Sequence, residues 1–245
     1  MTFASSNERT KDFIKNINLY FKQEDTLIIQ EGRNVIKKIR YQEKEYIVKF
    51  FREPNIINKI AYKIVKKSKA QKSYFNSLKI SNFVPNAIGF IEFSKFGLLQ
   101  DSYFISENFT YDFTIREALL DVNFHKKKTI FKTFAYFTFQ LHQQNIYHLD
   151  YSPGNILIKE KDGQYTFKIV DINRMKFQVL DLETRLKNFA KLWAKDGDLE
   201  IIIREYAQLM NADEKNCIKI ALHYSQSHKN FKNFKKRVRG EKVVD

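Results

Sequence analysis

Three runs rich in Ile, Val, Phe and Tyr follow one another near the start of the chain: Thr26 to Gln30, Val35 to Tyr41 and Tyr46 to Phe51. This composition predicts strands, and the short polar gaps between the runs predict an antiparallel meander. Residues 54 to 80 carry a helical pattern, one short helix and one longer one, before strand-type runs resume at Ala87 to Phe93, Gly97 to Gln100 and Ser102 to Ser106. Together these predict a five-stranded antiparallel sheet in the first half. Residues 1 to 25 are polar with scattered aromatics, and predict an extension with a short helix around Asp12 to Phe21.

The second half is mainly helical in pattern. Asp112 to Leu120 and Thr129 to Asn145 read as helices, and in the second of these Ile130, Phe134, Phe137 and Leu141 fall on one buried stripe. Ile156 to Ile158 and Tyr165 to Val170 flank KDGQ, whose Asp162 and Gly163 are strong turn formers, so this stretch predicts a β-hairpin. Beyond Met175 the apolar spacing is helical again, through Leu182, Leu186, Phe189 and Trp193, then Leu199, Ile202, Ile203, Tyr206 and Met210, then Asp213 to Ser225.

Composition narrows the partners more than the fold. Forty-three Lys and Arg against 28 Asp and Glu give a formal charge of +15, so the expected partner is an anion: a nucleotide, a nucleic acid or an acidic membrane surface. No nucleic-acid-binding motif accompanies the charge. Cys217 is the single cysteine, which excludes an internal disulfide and suits a small buried apolar position. No stretch approaches the roughly 18 apolar residues of a membrane span, and the N-terminus lacks a secretory pattern, so the expectation is a soluble or peripheral protein.

The chemistry concentrates in HLDYSPGN at residues 148 to 155 and VDINRM at residues 170 to 175. His148, Asp150 and Asn155 have the spacing H-x-D-x-x-x-x-N. A kinase-type catalytic loop uses this spacing to place a carboxylate beside the acceptor hydroxyl and an amide oxygen on Mg²⁺. The hairpin then delivers Asp171 to the place of the metal-binding Asp of DFG, although the tripeptide here is DIN. In YIVKFF, Lys49 matches the V-A-I-K pattern whose lysine contacts nucleotide phosphates; a solvated strand lysine is the alternative. Gly32, in the first turn, stands where a phosphate-binding glycine loop would be, or simply in a hairpin turn. Glu107 to Phe109 falls where a hinge would meet adenine through backbone groups.

These segments resemble the lipopolysaccharide kinases of the Kdo/WaaP family, within the protein-kinase-like superfamily. The likeness spans about residues 28 to 240 and is carried above all by HLDYSPGNILI and VDINRMKF, with support from EGRNVIKKI, YIVKFFREPNIINKI, SKAQKSY and YDFTIREAL. It implies an α+β, bilobal protein-kinase-like fold. Residues 1–108 would form the N-lobe with its N-terminal extension, and residues 109–245 a mainly helical C-lobe with the catalytic loop and a basic tail.

The implied activity is ATP- and Mg²⁺-dependent phosphorylation of a hydroxyl on a lipopolysaccharide inner-core sugar, Kdo or heptose, at the cytoplasmic face of the inner membrane. Under it Asp150 is catalytic, Lys49, Gly32 and Glu107 bind nucleotide, and Asn155 and Asp171 hold the metal. The family's acidic helix residue falls near Phe75, which cannot pair with Lys49, and no acidic residue lies between Glu53 and Glu92. Alternatives are a kinase of another small acceptor, and a pseudokinase serving as an anion- or membrane-binding module.

Two surface features bear on the acceptor. Little sequence separates DIN from Leu182, too little for a long activation loop and peptide platform, which favours a small-molecule or lipid-sugar acceptor. The tail HKNFKNFKKRVRGEK interleaves Lys229, Lys232, Lys235, Lys236, Arg237 and Arg239 with Phe231 and Phe234, a pattern suited to an anionic membrane surface or to simple solvation. Arg174 is placed to touch a phosphate or sugar carboxylate, or to form a structural ion pair.

Overall fold

The computed structural model describes residues 1–24, 26–32, 34–52 and 67–241. The chain divides into two compact units, one of residues 1–110 with 171–173, the other of residues 111–170 with 174–245.

The first unit is built on strands β1 (Thr2–Ser5), β2 (Leu27–Gln30), β3 (Asn34–Tyr41), β4 (Lys44–Phe51), β5 (Ala87–Lys95) and β6 (Leu98–Glu107). They form one antiparallel sheet in the order β1-β5-β6-β4-β3-β2. The sheet therefore has six strands rather than the five expected from sequence. Gly97 to Gln100 and Ser102 to Ser106 merge into the single strand β6, and the N-terminal residues add β1 along β5, with Phe3 opposite Ile91. Gly89 makes that pairing possible, because a Cβ there would overlap the carbonyl oxygen of Ala4 and the side chain of Ile14.

Residues 1–24 thus do more than extend the chain. Helices α1 (Lys11–Lys15) and α2 (Ile17–Lys22) place Phe13, Ile14, Ile17 and Phe21 in a core with Val35, Ile39, Tyr46, Val48, Ile91 and Ile105. Phe13 stacks on Tyr41 with ring centroids 4.6 Å apart. Side chains alternate along β4, so Tyr46, Val48 and Phe50 serve this core while Lys49 and Phe51 face the other way. There Phe51 packs with Phe90, and with Ala70 and Tyr74 of α3 (Lys69–Lys79). Ser68 caps α3 by accepting from the Gln71 N–H at 3.0 Å. The short helix expected earlier in the 54–80 stretch lies outside the described residues.

The second unit opens with β7 (Phe113–Thr114) and helix α4 (Ile115–Leu120), which begins at a capping box formed by Thr114 and Glu117. Helix α5 (Lys127–Gln143) buries Ile130, Phe134, Phe137 and Leu141, the stripe expected from its spacing. It leads into β8 (Ile146–His148). The hairpin of β9 (Ile156–Lys161) and β10 (Gln164–Ile169) turns at Asp162 and Gly163, both with positive φ as a type I′ turn requires. The two small sheets are β10-β9-β7 and a pair of β8 with β11 (Met175–Phe177).

Helices α6 (Leu182–Asn188), α7 (Asp196–Leu209) and α8 (Glu214–Val238) complete the unit. The core stripe of α7, Leu199, Ile202, Ile203 and Tyr206, is fully buried, as is Cys217 on α8. Helix α8 runs well past Ser225 and takes most of the basic tail with it. Among the described residues no helix is long and apolar enough to cross a membrane.

Candidate active site

The HLDYSPGN segment is held by its own backbone and by side chains buried beneath it. β8 pairs with β11 so that His148 lies opposite Met175, and the Leu149 N–H donates to the Arg174 carbonyl at 3.0 Å. His148 is buried, and its two ring nitrogens have different duties. Nδ1 accepts the Asp150 N–H at 3.0 Å, so Nε2 carries the proton and donates to the Val170 carbonyl, also at 3.0 Å. One imidazole therefore fixes both the backbone of Asp150 and the strand end that precedes Asp171.

Asn155 closes the loop. It ends a 3-10 turn, Pro153–Asn155, and its Nδ2 donates to the Asp150 carbonyl and to Ser152 Oγ, each at 3.0 Å. Its carbonyl in turn accepts the Val170 N–H at 2.9 Å. The amide nitrogen is thus committed, and among the described residues the side-chain oxygen takes no hydrogen bond. Gly154 lets the Arg116 guanidinium lie close against the loop, since a Cβ there would reach 2.5 Å from its Nη2.

Below the loop runs a buried relay that sequence reasoning missed. Asn188 Nδ2 donates to the His148 carbonyl at 2.9 Å, and Asn188 Oδ1 lies 3.1 Å from His142 Nε2. His142 Nδ1 lies 2.7 Å from the Tyr206 hydroxyl. Because Oδ1 can only accept, His142 carries its proton on Nε2 and receives the tyrosine hydroxyl at Nδ1. Burial pushes the His142 pKa down to about 4 and raises that of Tyr206, so both are neutral at physiological pH. Tyr151 is anchored nearby, its hydroxyl 2.8 Å from Thr138 Oγ1 and its ring stacked on Phe134. Local spacing carries no signal for these residues, because their partners lie on other elements; a polar residue inside an apolar helical stripe, as His142 is, was the one available hint.

In the first unit, Lys49 Nζ and Asp171 Oδ1 are 2.6 Å apart. Lys49 is on the α3 side of β4, with its ammonium 5.5 Å from the centre of the Phe51 ring. Asn173 Nδ2 also donates to Asp171 Oδ1, and among the described residues the second carboxylate oxygen takes no hydrogen bond. Asp171 has φ +56, a left-handed conformation that Asp tolerates better than most residues. Asn76 on α3 holds the adjoining turn by donating to the Ile172 carbonyl at 2.7 Å. Its neighbour Phe75 packs against Tyr74 and Phe90 and lies under the Lys67 ammonium at 4.8 Å. The cation that lacks a helix carboxylate thus has Asp171 instead.

Gly32 lies in the turn between β2 and β3, and its α-carbon faces open space. Glu107 ends β6, where its carboxylate accepts from Asn86 Nδ2 at 2.8 Å and its N–H donates to the Asn86 carbonyl at 2.9 Å. The candidate residues therefore gather as Asp150 with Asn155 in the second unit and Lys49 with Asp171 in the first, while Gly32 and Glu107 stand apart on the sheet. Among the described residues no three His, Cys, Asp or Glu side chains cluster as a metal cage.

No curated protein matches the sequence. Among solved structures, WaaP in complex with acyl carrier protein matches with a TM-score of 0.62 at 11% identity, covering 94% of this chain and 99% of that one, a likeness of fold. The model of the lipopolysaccharide kinase (Kdo/WaaP) family matches residues 76–212, which include the HLDYSPGN loop, the hairpin and the DIN turn. The match takes in more than half of the chain, and the chain belongs to the lipopolysaccharide kinase (Kdo/WaaP) family.

Proposed function

We propose that this member of the family is an ATP-dependent kinase that phosphorylates a hydroxyl of a lipopolysaccharide inner-core sugar, Kdo or heptose. The observation that carries the reading is the bonding of the 148–155 loop, in which His148 fixes the backbone of Asp150 while Asn155 is tied to the carbonyl of the same residue. Phosphoryl transfer needs little covalent chemistry from the protein; it needs placement and charge. Asp150 would accept the hydrogen bond of the acceptor hydroxyl, orienting its oxygen and taking its proton as that oxygen bonds to the γ-phosphorus and the bond from phosphorus to the bridging oxygen breaks, releasing ADP.

Lys49 would hold the nucleotide phosphates, with the Gly32 turn offering backbone N–H groups and the end of β6 at Glu107 opening the hinge. Among the described residues, Asn155 and Asp171 each keep one side-chain oxygen clear of hydrogen bonds. Such a pair of hard oxygen donors suits Mg²⁺, which is held by one or two protein oxygens plus phosphates rather than by a closed cage. When bound, that ion neutralises phosphate charge. The residues act in two groups, the 1–108 N-lobe gripping nucleotide and the 109–245 C-lobe presenting the acceptor.

The C-terminal helix supports a peripheral position on an anionic membrane, the cytoplasmic face of the inner membrane in this reading. Phe231, Phe234 and Val238 are exposed on one stripe of α8, flanked by Lys235, Lys236 and Arg239. ATP turnover with a Kdo-bearing lipid acceptor, compared between wild type, Asp150→Ala and Asp171→Ala, tests the assignment. Phosphate transfer that depends on both carboxylates is expected; transfer undiminished in both variants overturns the site, and no transfer to any core sugar favours a pseudokinase or another acceptor.

A further inference from the structure

Around Asp150 the second unit gathers positive charge that its fold does not use. Arg174 is exposed and flanks the loop, its carbonyl bound to the Leu149 N–H. Lys191 lies three residues beyond Asn188, in the 3-10 turn Phe189–Leu192, and is part-buried. Helix α8 reaches the same place: the His228 ring meets Trp193 at 6.0 Å, and Lys229 Nζ donates to the Ala194 carbonyl at 2.7 Å. One turn beyond His228 stands Lys232. Trp193 itself is held at φ +55, a conformation a large side chain rarely adopts and one that collects at functional sites.

The electrostatics agree with this placement. Burial lowers the Lys191 pKa, Lys232 lowers it further, and Arg174 and Lys187 add to the effect, while Asp150 acts in the opposite sense. Burial, Lys191 and Lys232 together push His228 down to about 4, so it is neutral and adds no charge. Among the described residues none of Arg174, Lys191 and Lys232 has a carboxylate within ion-pair distance. Like charges held together without counter-ions cost stability, and an incoming anion removes that cost.

We propose that Lys191, Lys232 and Arg174 form an anion site beside Asp150 that takes a carboxylate or phosphate group carried by the acceptor. The inference deepens the kinase reading and rests on it for the word acceptor. Asp150 repels the same anion, so the three cations also draw the acceptor's charged group off the carboxylate and leave a hydroxyl to face it. They are binding residues, distinct from the lysine assigned to nucleotide.

The test uses the full-length protein and variants Lys191→Met, Lys232→Gln and Arg174→Gln, with Lys191→Arg as the conservative rescue. Equilibrium binding of a Kdo-bearing lipid A precursor is measured without nucleotide, beside the KM values for precursor and ATP. Each neutralising variant is expected to weaken precursor binding and raise its KM by about tenfold, the effect of one charge-assisted contact, while Lys191→Arg stays near wild type. Binding of the carboxyl-methylated precursor and of the dephosphorylated precursor then tells the sources apart: the modification that removes the dependence on Lys191 identifies the group held. Unchanged precursor binding in all three variants, or a rise confined to the KM for ATP, overturns the proposal. Because binding is read without turnover, a protein that transfers no phosphate yet loses precursor binding in these variants keeps the anion site and loses only the kinase reading.

Discussion

Asn188 donates to the main-chain carbonyl of His148 at 2.9 Å, joining a helix terminus to the catalytic-type loop across 40 positions of sequence. The same side chain accepts from His142, so one amide satisfies two buried polar groups. Removing it by Asn188→Ala strands the His148 carbonyl and the His142 N–H together, at a cost of about 2–4 kcal/mol. Thermal unfolding is expected to shift down by roughly 5–10 °C. An unchanged melting temperature would show that water replaces the amide at no cost.

His142 makes the fold sensitive to acid. Its pKa is about 4 in the folded protein against the ordinary 6.5, so unfolding takes up a proton between those values. The contribution of the neutral ring is complete above pH 6.5 and is lost progressively as pH falls towards 4. A shift of this size corresponds to stability on the order of 3 kcal/mol. Urea unfolding at pH 7 and pH 4.5 should show a lower midpoint at the acid end, and His142→Gln, weaker at neutral pH, should show a flatter dependence.

Lys49→Met separates folding from chemistry. Lys49 and Asp171 are both partly solvated, so loss of the pair should cost only about 1 kcal/mol. In the proposed kinase, loss of the phosphate-holding cation should lower kcat by about 100-fold or more. Circular dichroism melting and phosphate-transfer rates, measured on one preparation, would show whether the two effects part in this way.

Two glycines should respond differently to alanine. At Gly89 the new Cβ meets the Ala4 backbone, which cannot yield without moving β1, and a cost of about 1–3 kcal/mol is expected. At Gly154 it meets the end of the Arg116 side chain, which can swing aside, so stability should hold within roughly 0.5 kcal/mol. Chemical unfolding of both variants makes the comparison.

Phe13→Ala tests whether the N-terminal residues belong to the core. Phe13 is fully buried among Tyr20, Tyr41 and Tyr46, and truncation should cost about 3–5 kcal/mol. An effect below roughly 1 kcal/mol, the range of surface substitutions, would show that the segment is dispensable.

What could be read from sequence follows the range of the interactions involved. The β9–β10 hairpin was legible because Asp162 and Gly163 dictate their own turn, and the α5 stripe because helical periodicity is local. The N-terminal strand was not, since Thr2–Ser5 becomes a strand only through β5, about 85 residues away in the chain. HLDYSPGN announced itself by spacing, yet the groups beneath it did not, because Asn188, His142 and Tyr206 sit on three different helices. Phe75 marks where the resemblance expects a carboxylate; that Asp171 would stand beside Lys49 in the same unit depended on tertiary structure.

The return of residues 171–173 to the first unit has a consequence for dissecting the protein. A fragment ending at Thr110 would contain the whole six-stranded sheet but lack the carboxylate beside Lys49 and the carbonyl that receives Asn76. Severed there, the sheet would be left with a lysine and an asparagine robbed of their partners. The boundary between the units is therefore no place to cut the chain: the sequence is interlaced, and the first unit becomes complete only after residues 111–170 of the second have been synthesised.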